Sequence, residues 1–199
     1  MKRLIFATTA ALALAACSDS PVELHKPPAD PNFFPVYGGI QTIFTTQTPA
    51  STIDATGGWE VATRFTVFVD GKISGFRFWK AVGESGTHTA RLWTTSGSLL
   101  ASATFSSETS SGWQSVGANR VISAGDYVVS VNTNVKQVKT FAYFTNNGAI
   151  SHDDIYADLS YYGQPTGSFP TNSSGSIYFV DVNFRPYICN TLTDDPCPP

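Results

Sequence analysis

The chain has 199 residues, 42% of them hydrophobic and 14% charged, a composition that supplies a core and excludes an intrinsically disordered protein. Aromatic residues reach 13% amid abundant Thr, Ser and Val, and no Glu/Lys/Leu/Ala-rich stretch of helical period follows residue 16, which excludes a helical bundle. Twelve basic and 15 acidic side chains give a formal charge of −3, and with no basic cluster beyond Lys2-Arg3 the balance argues against nucleic acid as a partner.

Residues 1–17 run from Lys2-Arg3 through the uncharged stretch 4–16 to Cys17, the order of an export signal. Leu14-Ala15-Ala16-Cys17 resembles the bacterial lipobox, in which the cysteine is acylated and becomes the mature N-terminus. The alternatives are a soluble secreted protein or a spanning anchor, but the apolar run of 13 residues is short of the roughly 20 that cross a bilayer. Ser18 follows the cysteine where an Asp would resemble an inner-membrane retention signal, so an outer-membrane destination is expected if the organism has two membranes. Removal of residues 1–16 takes two basic side chains and moves the charge from −3 to −5.

Residues 17–37 hold the acylated cysteine and a tether, marked by Pro21, Pro27, Pro28, Pro31 and Pro35 without periodicity. From 38 to 187 short alternating runs recur, with strands expected at 40–45, 59–69, 72–80, 87–94, 98–106, 112–116, 126–133, 139–145 and 177–185. Asp70-Gly71 predicts a tight hairpin between 65–69 and 73–79, because Asp-Gly supplies the positive φ values such turns need. Ser96-Gly97 predicts another, and Ala124-Gly125-Asp126 introduces 127–131. No helical segment separates the strands, so parallel βαβ units are excluded and antiparallel pairing follows. The expected fold is all-β, an antiparallel two-sheet β-sandwich of jelly-roll type.

Residues 146–176 break the rhythm, rich in Asn, Ser, Gly and Pro yet carrying Tyr156, Tyr161, Tyr162 and Phe169. A loop of that length is usually functional or disordered, and its aromatics argue against disorder. The last segment, 188–199, is a tail in which Cys189 and Cys197, with seven residues between them, are expected to form a disulfide in an exported protein. Zinc is disfavoured because His25, His88 and His152 are distant in sequence.

Several segments resemble a bacterial family known as domain of unknown function 4082. They are Gly75-Phe76-Arg77-Phe78-Trp79-Lys80, Gly86-Thr87-His88 with Leu92-Trp93, Glu108-Thr109-Ser110-Ser111-Gly112-Trp113-Gln114, Gly167-Ser168-Phe169-Pro170-Thr171 and Tyr178-Phe179-Val180-Asp181-Val182-Asn183-Phe184. The resemblance runs from about Gly58 to Phe184. It implies an exported β-sandwich, in a family often found beside carbohydrate-active or immunoglobulin-like modules, and brings no established activity with it.

Strand alternation puts Arg77 with Trp79 on one face, and Arg91 with Trp93 on one face of another strand. Two arrangements fit. The indoles form an exposed platform for sugar rings beside guanidinium donors, with Tyr161 and Tyr162 as further contacts, or each Trp fills core space or is covered by its own Arg. Asp181 would be costly if buried alone, so an ion pair with Arg77 or Arg91 is expected. His88 is expected to be a satisfied, partly buried histidine rather than a general base. Asp153 and Asp154 point to opposite faces as strand neighbours, and with Glu84 and Glu108 they are the candidates for a structural calcium. No nucleophile elbow, phosphate loop or dinucleotide fingerprint is present, so no catalytic residue, resident metal or other cofactor is expected.

The function expected from sequence is that of a non-catalytic binding module in the bacterial cell envelope, held to the membrane by its N-terminal lipid and recognising a glycan or another envelope component. The alternative is a structural or assembly subunit that docks to an envelope protein through the aromatic loop.

Overall fold

The computed structural model describes residues 35–190, with side chains described to residue 188. In chain order the described elements are β1 (Pro35–Tyr37), β2 (Ser51–Asp54), β3 (Trp59–Val67), β4 (Gly71–Lys80), β5 (Thr89–Thr94), β6 (Leu99–Thr104), β7 (Gly112–Ile122), β8 (Gly125–Thr133), β9 (Lys136–Lys139), α1 (Tyr143–Asn147), β10 (Ile150–His152), β11 (Ile155–Gly163), β12 (Asn172–Ser174) and β13 (Val180–Asn190). Strands therefore start inside the stretch expected as tether and continue into the expected tail. The signal segment, Cys17 and the Cys197 end of the expected disulfide lie outside the described residues, as does the Cys189 side chain.

Two antiparallel sheets are formed, in the strand orders β1-β13-β4-β7 and β10-β11-β3-β8-β5-β6, with β12 added to β11; β2 and β9 make a separate ribbon. The period-2 pattern of apolar residues explains the layering. Phe76, Phe78, Val180, Val182 and Phe184 of the first sheet meet Val61, Phe65, Leu92, Val129 and Val131 of the second in one buried cluster. Core side chains this large each contribute roughly 1.5–3 kcal/mol when removed from water.

The Ser96-Gly97 turn closes the β5–β6 hairpin as expected: Gly97 has φ +88°, and Thr94 and Ser98 are bonded across it. Asp70-Gly71 does not make a hairpin. β3 and β4 belong to different sheets, and the chain between them crosses from one layer to the other. Gly71 is required there for space, since a Cβ would lie 2.5 Å from the Arg185 carbonyl oxygen and press into the Phe184 ring. Asp70 instead ties two crossings together, its Oδ1 accepting from the Ala124 N–H at 2.8 Å beside the β7-to-β8 passage.

Other expected elements are also corrected. Residues 40–45 form no strand beyond a bridge at Gln41; Ile43 and Phe44 are buried because this segment lies over a sheet face. The run 139–145 is the end of β9 followed by α1. Much of the supposed loop 146–176 is β10, β11 and β12, with β11 pairing with β3 from Glu60 to Val67 through a bulge between Ala157 and Leu159.

Strand register defines two ends. Gly71, Ile122, Val67 and Gly125 stand at one, where β1 and the last residues of β13 extend further; Lys80, Gly112, Trp59 and Thr133 stand at the other. At about 3.3 Å per residue the ends are roughly 30 Å apart.

Candidate functional site

On β4, alternation turns Phe76 and Phe78 to the core and Arg77 and Trp79 to the outer face of the first sheet. Asp181 stands opposite Arg77 in register, on that same outer face, yet it is fully buried. Residues 41–44 cover it: the Ile43 and Phe44 N–H groups donate to its two oxygens at 2.8 and 3.1 Å. Arg77 donates to Asp181 Oδ2 from Nε at 2.8 Å and from a terminal nitrogen at 2.6 Å, and also to the Phe44 carbonyl. Burial pushes the Asp181 carboxyl up from its ordinary value, while Arg77 and the backbone donors pull it down. The expected ion pair thus forms, and it forms with Arg77.

The Arg77 guanidinium lies 4.3 Å from the centre of the Trp113 ring, so it covers a neighbour's indole and not that of Trp79. Trp79 meets Trp113 edge-on at 5.5 Å and is half-buried. Its remaining surface lines a groove of about 430 Å³ together with Thr48, Ser51, Thr52, Ser111, Val82 and Val138. The groove opens between the β2–β9 ribbon and the Lys80–Gly112 end of the first sheet, the end remote from β1.

The second Arg-x-Trp pair is elsewhere. β5 belongs to the other sheet, so the two pairs do not adjoin and no contiguous platform exists. Trp93 is 5% exposed and donates Nε1–H to Ser130 Oγ at 2.8 Å, with Phe169 packed edge-on at 5.9 Å. Arg91 is committed to Glu60, with both carboxylate oxygens at 3.1 Å. Glu60 also accepts from Ser130 Oγ at 2.5 Å and from the Gly167 N–H at 2.8 Å. Burial raises the Glu60 carboxyl, and the Ser130, Gly167 and Arg91 donors oppose that rise. This buried acid was missed in the sequence, where its only signal is a carboxylate in strand β3, whose other residues apart from Arg64 are apolar or hydroxyl-bearing.

Tyr161 and Tyr162 are successive on β11 and point apart. Tyr161 packs near Phe169 at 6.2 Å on the outer side, whereas Tyr162 stands by Trp59 at 5.9 Å and Tyr178 at 6.3 Å. The six expected contact residues therefore fall into separate places, and only Trp79 among them lines the groove.

His88 is fully buried and both ring nitrogens are taken: Nδ1 is 2.8 Å from Glu108 and Nε2 is 2.8 Å from Glu84. Lys80 Nζ adds an ion pair to Glu108 at 2.8 Å, and Glu84 accepts from the N–H groups of Asn134, Val135 and Lys136. Burial lowers the imidazole's affinity for protons, but the hydrogen bonds to both carboxylates outweigh it and the net shift is upward. For Glu84, burial raises the carboxyl, and His88 with the three backbone donors brings it below its ordinary value. Glu84 and Glu108 are thus engaged at the groove end, whereas Asp153 and Asp154 stand at the β10–β11 turn by Phe68 of the other end. The four do not converge on a calcium site, and among the described residues no group of His, Cys, Asp and Glu is arranged to hold a metal ion.

Comparison with known proteins gives two family matches. Residues 45–180 match the family described as domain of unknown function DUF4082, and residues 1–18 match a prokaryotic membrane lipoprotein lipid attachment site. No curated protein matches the chain. Among solved structures, a clostridial cysteine protease, Cwp84, in a variant form after propeptide cleavage, is similar at 14% identity with a TM-score of 0.47. That similarity covers 74% of this chain and 40% of the protease chain, so the matched part is two fifths of that protein.

Proposed function

Because the chain belongs to the DUF4082 family and carries a lipoprotein lipid attachment site, we propose that this lipid-anchored cell-envelope protein is a non-catalytic module that binds a glycan of the envelope in the Trp79 groove. One observation carries this reading: a half-buried indole in an open groove among hydroxyl-bearing residues, at the end of the domain remote from β1. An indole face suits the apolar face of a sugar ring, and a mostly apolar groove with a few polar groups is the usual make-up of a ligand site. The non-catalytic assignment is supported by the closure of His88, whose nitrogens are both occupied by carboxylates away from solvent.

An outer-membrane location is part of the proposal and rests on Ser18 in the position after the lipidated cysteine. So is jelly-roll wiring. Supporting it, the orders β1-β13-β4-β7 and β3-β8-β5-β6 interleave eight strands so that the first pairs with the last, as two nested Greek keys require.

The test is a glycan array probed with the mature chain and with Trp79→Ala. Binding to a glycan class that the variant loses supports the proposal. A negative array with reproducible capture of one envelope protein overturns it in favour of an assembly subunit.

A further inference from the structure

The end of the domain that receives the tether carries an unusual concentration of exposed apolar side chains. Among the described residues, six of the ten large hydrophobics that face solvent stand there: Ile40, Phe68, Val69, Val121, Tyr187 and Ile188. They come from separate parts of the chain and are brought together by the fold. Phe68 and Val69 form the tip of the β3-to-β4 crossing, tied by the Phe68 N–H to the Asp154 carbonyl at 3.0 Å and by the Asp70 carbonyl to the Tyr187 N–H at 2.8 Å. Val121 pairs with Lys72 on the adjoining strands, and Ile40 follows Gly38, which is bonded to Pro186. Phe68 is 56% exposed and Val121 61%. Apolar groups so gathered on one end of a domain mark a contact surface.

Cations accompany the patch. Lys72 lies over the Tyr37 ring at 5.0 Å, Arg185 donates to the Gly38 carbonyl at 2.8 Å, and Arg120 is exposed beside Val121. Acids stand at this end too: Asp70 accepts from the Ala124 N–H and Asp154 from Gln41 Nε2, while Asp126 and Asp153 are exposed. The apolar tip with the Lys72 and Arg120 side chains beside it, and not a net positive charge, is what suits the boundary between acyl chains and headgroups.

The chain itself supplies the occupant. Cys17, in the lipid attachment site, precedes Pro35 by 18 residues, a span of at most about 65 Å when fully extended, so this end of the domain stays within reach of a bilayer. We propose that it rests on that bilayer, with Phe68 and Val69 entering the headgroup boundary, as a second membrane contact besides the acyl chains. The Trp79 groove then faces away from the surface, roughly 30 Å above it.

The test uses the full mature chain, acylated on Cys17 and reconstituted in vesicles of phosphatidylethanolamine and phosphatidylglycerol. Phe68→Cys and, at the far end, Val135→Cys are each labelled with a membrane-impermeant maleimide and read at their own peptides by mass spectrometry. The expected result is that labelling of Phe68→Cys on vesicles is slowed about tenfold relative to the same chain made acyl-free by Cys17→Ser without vesicles, while Val135→Cys labels at one rate in both. Equal rates at residue 68 overturn the proposal. So does slowing in the acyl-free chain that grows with protein concentration, which identifies a second copy as the occupant. In a second measurement the Cys17→Ser chain co-sediments with the same vesicles, and Phe68→Asp with Val69→Asp weakens that binding about tenfold whereas Val135→Asp does not. Failure of the Cys17→Ser chain to co-sediment, or indifference to the paired substitution, also overturns it. Either outcome is independent of glycan binding at Trp79.

Discussion

Replacing Arg77 by Met isolates the energetics of the buried acid beneath the 41–44 segment. Asp181 keeps three backbone donors, Ile43, Phe44 and Val182, at 2.7–3.1 Å, but loses its only cation, and the charge stays in a fully buried site. Removing one partner of a buried pair costs about 3–5 kcal/mol, and loss of the guanidinium over Trp113 adds about 0.5–1 kcal/mol. For a domain of this size the melting temperature should fall by roughly 10–15 °C. The defect should depend on pH with a definite sign. Burial already raises the Asp181 carboxyl with Arg77 opposing, so Arg77→Met raises it further. The variant then regains stability as pH falls and the carboxyl is neutralised, and loses it as pH rises. Denaturant unfolding of wild type and variant at mildly acidic and neutral pH measures both effects. A loss below about 1 kcal/mol at neutral pH, or a defect that grows on acidification, would refute the assignment of Asp181 as a charge held by Arg77.

Three further expectations are checkable in the same way. Burial opposes the protonated form of His88 but the Glu84 and Glu108 bonds raise it above 6.5, while Glu84, also buried, is brought below 4.5 by His88 and backbone donors; the histidine's contribution is complete below its unfolded value and lost as pH climbs through the raised one, and that of Glu84 is present above its unfolded value and lost as pH drops through the lowered one. Stability should therefore decline as pH rises from 6.5 through the raised value of His88, and His88→Gln should flatten that decline in unfolding curves taken across the range. Trp93→Ala should destabilise by about 3–5 kcal/mol because the indole is buried and bonded to Ser130, whereas Trp79→Ala should lose markedly less, as thermal melts will show. Gly71→Ala should cost about 1–3 kcal/mol by overpacking against Phe184 and the Arg185 carbonyl, and an unchanged denaturation midpoint would contradict the close approach of β4 to β13.

Several strands were legible because their apolar residues alternate: 76 and 78 on β4, and 90 and 92 on β5, read directly as half-buried pleats. The layer crossing at Asp70-Gly71 was not legible as such. The dipeptide reports a change of direction, but whether the next strand returns to its predecessor or goes to another sheet depends on β13, more than a hundred residues on, whose Phe184 occupies the space where a side chain would be. β11 escaped notice because its bulge at 157–159 breaks the alternation and Gly, Asn and Ser surround it. For the site, alternation put Arg77 with Trp79 and Arg91 with Trp93 correctly on shared faces. It could not tell that residues 41–44 cover the first pair's acid, or that the 164–170 segment closes Trp93 and Glu60 from water. The lipid attachment site, carried by a contiguous motif, was readable without any fold at all.

The position of β13 in the middle of the first sheet bears on how the protein is made. Its neighbours are β1, the earliest described strand, and β4, so the sheet cannot close until nearly the whole chain is available. During export, every intermediate lacking residues 180–190 has β4 unpaired on one side and leaves Arg77 without its carboxylate. Pairings of such sequence separation form slowly. Until β13 arrives, the edge of β4 that it will cover is an open strand edge, the kind of surface on which partly folded chains associate.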